Sequence, residues 1–360
     1  VSTGAEDGKG EHRRRPRYAG AYPRNFDQKY KEHAIERHPE LATKLAGKGH
    51  TPAGTHVPIL VDEVLEALDL APGEVVVDAT LGYGGHARRL AERVAPGGML
   101  IGLDVDGEQL ERTRERLADA PCDVRLFRRN FRDLPGVLAE LGLPGVDGLL
   151  ADLGVSSMQL DDPARGFSFR KDGPLDLRLD PRLPRTAADW LARLTEDELA
   201  AQLAETADEP DAAAVARAVH QRMTRAPLAR TRDLSELVLR AKGIDPRAWR
   251  ERARAGDAGP HPAARTFQAL RILVNDELGV LSKLLGTLPR VLNPGGRVAV
   301  LSFHSGEDRR VKQAFREGLE TGLYAEIALD AVRPSKDEVH RNNRAAPARL
   351  RFARKAPVAS

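Results

Sequence analysis

Three aspartates each close a short apolar run: Asp78 after Val75-Val76-Val77, Asp104 after Met99-Leu100-Ile101-Gly102-Leu103, and Asp152 after Gly148-Leu149-Leu150-Ala151. The first leads straight into a glycine-rich turn, Leu81-Gly82-Tyr83-Gly84-Gly85-His86. Glycines at such a turn let a ligand approach the backbone, because no side chain obstructs it and positive φ is tolerated. The helix that follows then offers free N–H groups. Gly82-x-Gly84-x-x-Ala87, with Asp104 about twenty residues on, also fits the dinucleotide fingerprint.

Asp78 argues against a pyrophosphate. A carboxylate directly before the glycines repels phosphate and suits a cationic amino group, which favours S-adenosylmethionine over NAD. Asp104 is then placed to accept both ribose hydroxyls, and Asn130-Phe131 after a third strand offers a polar contact and an apolar face for adenine. Asp152, followed by Leu153-Gly154-Val155-Ser156-Ser157, stands where methyltransferases of exocyclic amines place an acidic or amide residue before a tight turn. An aromatic amine has its lone pair delocalised into the ring. Acceptors that pull its N–H groups let the nitrogen pyramidalise and attack a sulfonium methyl. Asp152, Ser156 and Ser157 are the candidates for that work, although either serine alone reads equally well as a helix cap.

Arg165-Gly166-Phe167-Ser168-Phe169 sets two aromatics beside a cation in a chain whose aromatic content is only 4%. The combination suits stacking on an unpaired base and holding a phosphate, or equally a loop pinned to a core. Further along, Arg265, Arg271 and Asn275 fall on one helix, with the last two sharing a face. His304, in Ser302-Phe303-His304-Ser305, ends another strand. A lone histidine is more often structural than catalytic, and no neighbouring His or Cys in the sequence proposes a metal.

The elements that must position these residues follow from periodicity. Four apolar strand runs alternate with helices between His56 and Asp152, which predicts a doubly wound parallel α/β sheet. From 163 to 262 the pattern turns helical, with Thr195 and Glu198 forming a capping box. It then resumes with one long helix from Thr266 to Leu288, a strand from Arg297 to Phe303 and a last strand over Arg349 to Phe352. The expected organisation is a basic arm over 1–55 with a short helix near Tyr30 to Arg37, a main domain over 56–162 and 263–360, and a helical insertion over 163–262.

The chain has 360 residues, 41% hydrophobic and 30% charged, enough for one large domain or two ordinary ones. Lys and Arg number 56 against 53 acidic residues, so the net charge of +3 does not by itself call for a polyanionic partner. Both ends are basic, which fits phosphate contact or solvated tails. Cys122 is the single cysteine, which excludes an intramolecular disulfide framework. The N-terminal stretch is too polar for a signal peptide, and no apolar run approaches the roughly 20 residues needed to span a bilayer. A cytoplasmic protein is expected.

Several of these blocks, in order, resemble the bacterial methyltransferases that modify the exocyclic amine of a cytidine in 16S ribosomal RNA, the RsmH or MraW family. They are Gly82 to His86, Asp152 to Asp161, Arg165 to Phe169, Gly173-Pro174-Leu175-Asp176, Arg265 through Leu278 and Ser302 to Ser305. The resemblance spans roughly His56 to Arg316. It implies a class I methyltransferase fold with a helical domain inserted after the fourth strand, S-adenosylmethionine as cofactor, and 16S rRNA or the small subunit as partner. The cofactor contacts it implies are Gly84, Gly85, His86, Asp104, Phe131, Asp152 and Gln159, of which His86 and Gln159 come from the resemblance alone. The chain departs from the family pattern in its longer arm, in Thr206 to Asp211 of the insertion, in Gly306 where a leucine is usual, and around Asn342 to Pro347. Two other readings stay open: methylation of another rRNA site or aromatic amine, and a non-catalytic RNA-binding assembly factor.

Overall fold

The computed structural model describes residues 58–358, so the arm, its expected helix and its arginines lie outside the described residues. Helix α1 (Val61–Leu68) precedes β1 (Val75–Asp78), α2 (Gly85–Val94), β2 (Met99–Leu103), α3 (Gly107–Arg116), β3 (Asp123–Phe127), α4 (Leu134–Leu141) and β4 (Val146–Asp152). Seven helices follow: α5 (Ser157–Asp161), α6 (Ala187–Leu191), α7 (Glu196–Ala207), α8 (Ala212–Met223), α9 (Thr231–Ala241), α10 (Pro246–Ala255) and α11 (Ala264–Asn275). Then come α12 (Glu277–Val291), β5 (Leu292–Ser302), α13 (Ser305–Glu320), β6 (Tyr324–Ile327), α14 (Lys336–Arg341) and β7 (Arg349–Lys355).

The seven strands form one sheet in the order β3-β2-β1-β4-β5-β7-β6. Strands β1 to β5 pair in parallel, whereas β7 runs antiparallel between β5 and β6. Successive side chains point to opposite faces, and the sheet buries both. Val77, Ile101, Leu149, Val298 and Val300 pack with α4, α12 and α13. Val76, Leu100, Leu150, Ala299 and Leu301 pack with α1 and α2. That double burial is why the strands read as continuous apolar runs. Strand order reverses between β1 and β4, and ligands of open α/β sheets bind at the carboxyl ends beside such a switch point.

A third apolar cluster lies among the helices between β4 and β5 and includes Phe167, Leu175, Leu203, Val215, Leu234, Phe267 and Leu270. Thr195 and Glu198 make the expected reciprocal capping box at the start of α7.

Two expectations are corrected. The long helix over Thr266 to Leu288 is two helices, broken at Asp276, whose φ of 51° is left-handed. Its carboxylate folds over Gly279, where any side chain would collide with it. The basic C-terminal end is not a tail, because Arg349, Arg351, Arg354 and Lys355 lie on β7. Arg351 is buried and donates to Asp308 at 2.7 Å, and Lys355 donates to the carbonyls of Pro289 and Leu292.

Candidate active site

A cavity of about 780 Å³ opens at the carboxyl ends of β1, β2, β4 and β5. Asp78, Gly85, His86, Asp104, Phe131, Asp152, Ser156 and Gln159 line it together, and Arg271, Asn275, Glu277 and Glu307 form its far side. Gly84 is the N-cap of α2 with φ of 73°, and a Cβ there would stand 2.7 Å from Thr113 Cγ2, so the position excludes a side chain twice over.

Backbone bonds hold the loop open. Asp104 accepts from Gly82 N–H and Asp106 N–H, each at 2.8 Å. Thr80, unremarked in the sequence, ties the two central strand ends together: its Oγ1 accepts from Asp152 N–H at 2.6 Å, and its N–H donates to Asp78 at 3.1 Å.

Three aspartyl groups stand here, Asp78 buried and Asp104 and Asp152 half-buried, with no Lys or Arg ion pair to any of them among the described residues. Burial drives Asp78 up to about 7, with hydrogen bonds from Thr80 opposing and the charge of Asp104 adding. Burial likewise brings Asp104 to about 6, partly offset by the backbone N–H groups it accepts. Asp152 rises to about 8 through burial, then through Asp78 and Glu307. His86 Nε2 lies 3.7 Å from one Asp152 oxygen, and the other oxygen, Oδ1, is buried with no hydrogen-bond partner among the described residues.

Carboxyls raised on folding bind protons more tightly folded than unfolded, so stability falls as pH climbs from about 4 to about 8. Melting of the ligand-free protein is therefore expected at a lower temperature at pH 8 than at pH 5.5. A cationic ligand should recover more of that loss at pH 8. Calorimetric scans with and without ligand check both statements.

The remaining candidates divide. Ser156 lines the cavity but serves as N-cap of α5, its hydroxyl accepting from Gln159 N–H while Gln159 Oε1 accepts from Ser156 N–H. Ser157 opens the same helix, and its side chain lies outside the described residues. Arg165 does not face the cavity. It pairs with Asp106 at 2.6 Å and donates to the carbonyls of Arg178 and Leu179, so three acceptors already hold the guanidinium.

Phe167 is 3% exposed within the helical core, which overturns the expectation that it stacks on a base. Phe169 is half-buried and packs on His261, centroids 4.7 Å apart, and on Phe267, away from the cavity. Both follow the loop-pinning alternative, because the scarce aromatics are the largest side chains the helical core has to bury. Arg265 is exposed and donates to the Asp208 carbonyl, within the altered Thr206 to Asp211 stretch. In that stretch Glu209 is buried against Lys242 at 2.6 Å, which gives its acidity a structural reason.

Asn275 bridges the loop over the site, accepting from Leu179 N–H and donating to the Leu177 carbonyl. Arg271 is spent on Glu277, with both guanidinium contacts near 2.8–2.9 Å. His304 caps α13 through Nδ1, which accepts from Glu307 N–H, and its Nε2 lies 3.2 Å from Glu307 Oε1. Ligand-type atoms of Glu277, His304 and Glu307 lie within 4.8 Å of one another. Arg271 nevertheless occupies both Glu277 oxygens, and Nδ1 acting as acceptor places the histidine hydrogen on Nε2. The cluster is therefore a charge network in which Arg271 and Glu277 are hydrogen-bonded, while His304 Nε2 is buried beside Glu307 with no hydrogen-bond partner among the described residues. Glu277 and Glu307 escaped the sequence reading, because a glutamate in a helix looks like any solvated one.

A seven-stranded sheet of this order, with its glycine loop and strand-end aspartates on one cavity, defines a class I S-adenosylmethionine-dependent methyltransferase. The profile of the MraW methylase family matches residues 53–356, and the chain belongs to that family. It is 43% identical over 349 residues to ribosomal RNA small subunit methyltransferase H 1 of Lachnoclostridium phytofermentans, covering 96% of this chain and 93% of that protein. It is 46% identical over 326 residues to ribosomal RNA small subunit methyltransferase H of Acidothermus cellulolyticus, covering 86% and 96%. No helix among the described residues is long and apolar enough to cross a membrane.

Proposed function

We propose that the protein transfers a methyl group from S-adenosylmethionine to the exocyclic N4 amine of a cytidine in 16S ribosomal RNA. The observation that carries this reading is Asp152, half-buried at the end of β4 on the cavity shared with the glycine loop, with one buried oxygen unpartnered among the described residues. The names of the relatives support the RNA target.

The residues fit the cofactor. Buried Asp78, raised toward neutrality, suits a cation, Gly82 and Gly85 of the loop line the cavity, and Phe131 gives an apolar wall. Asp78, Gly84, Gly85, His86, Asp104, Phe131 and Gln159 would hold it, and the bound group supplies an electrophilic methyl on sulfonium. Asp152 orients the amine, and its positioning for in-line transfer is the main contribution to rate. Arg128, Arg129 and Arg132, which line the cavity and lie no nearer than 3.6 Å to a carboxylate, offer contacts for RNA phosphates. The helices of 163–262 serve as the substrate-recognition part, and a splayed or single-stranded base reaches the cavity.

Incubating the protein with labelled cofactor and undermethylated small subunits should place label on cytidine of 16S RNA. Label on another nucleoside, or none, overturns the target. A second expectation concerns Gly84→Ala. Left-handed strain of about 1–3 kcal/mol and the Thr113 contact should weaken S-adenosylmethionine binding by roughly tenfold or more, read by calorimetry.

A further inference from the structure

We propose that Glu307 is the acceptor for the amine that receives the methyl group, taking first its N–H hydrogen bond and then its proton, with His304 and Arg271 as positioning residues. The inference rests on the reading of the substrate as a cytidine amine.

The cavity lining holds eight carboxyl groups: Asp180 is paired with Arg182, Asp133 lies 3.9 Å from Arg132, Asp276 sits at the break before α12, and their surroundings separate the other five. Asp104 is occupied by two backbone N–H groups that hold the glycine loop. Asp78 accepts from Thr80 beside that loop and belongs to the cofactor end. Both oxygens of Glu277 are taken by Arg271. Asp152 has no Lys or Arg ion partner among the described residues and faces two other carboxyls, so it is the group that gives up its charge.

Glu307 is built to keep its charge. Its Oε2 accepts from Phe303 N–H at 2.9 Å, while its Oε1 lies 3.2 Å from His304 Nε2 without a hydrogen bond between them, so among the described residues Oε1 is the oxygen left to accept. It sits in the first turn of the 16-residue α13, where the helix dipole favours an anion. Burial pushes its carboxyl up, but His304, Phe303 N–H and Arg271 bring it below the ordinary glutamate value. Two carboxyls on one cavity whose surroundings push them in opposite directions are the mark of an acid and base division of labour.

The transfer then balances. Glu307 accepts an N–H hydrogen bond while Asp152 orients the second, and the nitrogen lone pair is freed from the ring. The N–CH3 bond forms as the carbon–sulfur bond breaks, with its electron pair passing to sulfur. The nitrogen now carries one surplus proton, which moves to the Glu307 carboxylate and from there to solvent.

Glu307→Gln keeps an acceptor for Phe303 N–H and removes the charge, and Glu307→Asp keeps the charge on a shorter arm. With 16S RNA as substrate, the Gln variant should lose roughly 10²–10⁴ in kcat, while its dissociation constants for S-adenosylmethionine and RNA stay within about threefold of wild type. The Asp variant should fall between the two. A Gln variant within about threefold of wild type in kcat, a loss accounted for by weaker cofactor binding, or an Asp variant no better than Gln would each overturn the proposal. Wild-type protein that labels no cytidine would fail differently, removing the proposed substrate and this acceptor role with it.

Discussion

Asp152→Ala is expected to lower kcat for 16S RNA methylation by roughly 10²–10⁴-fold while RNA binding stays within about threefold. The reason is local. Asp152 ends β4 at the sheet's switch point, its backbone is fixed by Thr80, and its free oxygen has no other duty among the described residues. Asp152→Asn separates two ways of acting. Burial beside Asp78 and Glu307 raises Asp152 to about 8, so near neutrality the ligand-free site holds largely the acid form. An amide also keeps one acceptor oxygen, and the Asn variant should retain most of what Ala loses, within about tenfold of wild type. An Asn variant as inactive as Ala would mean that the negative charge itself is required. Combined with Glu307→Gln, the losses should be less than multiplicative, because both groups serve one amine.

The second large effect is on cofactor affinity. Asp78, brought to about 7 by burial, must ionise to pair with a cationic amino group. Below that pH each unit of acidification should cost up to about tenfold in affinity, because a proton must leave for the ligand to bind. An α-amino group itself titrates near 7.7–8.0, so affinity should climb from pH 6, peak between the two values and fall above. Calorimetry at pH 6.5 in buffers of different ionisation enthalpy should register proton release on binding. Asp78→Asn should weaken binding at the optimum and flatten its acid limb. Affinity independent of pH from 6 to 7.5 would show that Asp78 does not meet the cation.

The strand ends and their aspartates were legible because burial on both faces leaves unbroken apolar runs, and a charged residue closing such a run has one place to go. The glycine turn was legible for a similar reason: its composition answers a backbone demand at Gly84. What sequence did not disclose depended on partners distant along the chain. Phe167 could stack on a base or fill a core, and only the helices from α6 to α11 decide for the core. Arg165 looked available until Asp106 and two carbonyls were placed against it. The break at Asp276 carries no glycine or proline, since an aspartate takes the left-handed conformation and the requirement for glycine passes to Gly279. Arg271 pairs with Glu277 six residues on and His304 lies against Glu307 three residues on, but that the two pairs meet on one cavity was hidden, because β5 separates α12 from α13 in the chain.

The place of β7 has a consequence for synthesis. It is made after β6 yet lies between β6 and β5. Until Arg349 to Lys355 leave the ribosome, the outer side of β5 is an unpaired edge and β6 has no neighbour to join. At 5–20 residues per second the interval between Ser302 and Arg349 lasts roughly seconds, a window in which a long apolar edge invites pairing with another chain. The strand that closes this edge carries Arg349, Arg351, Arg354 and Lys355 among its seven residues, a charge density that works against its pairing with other chains before it docks.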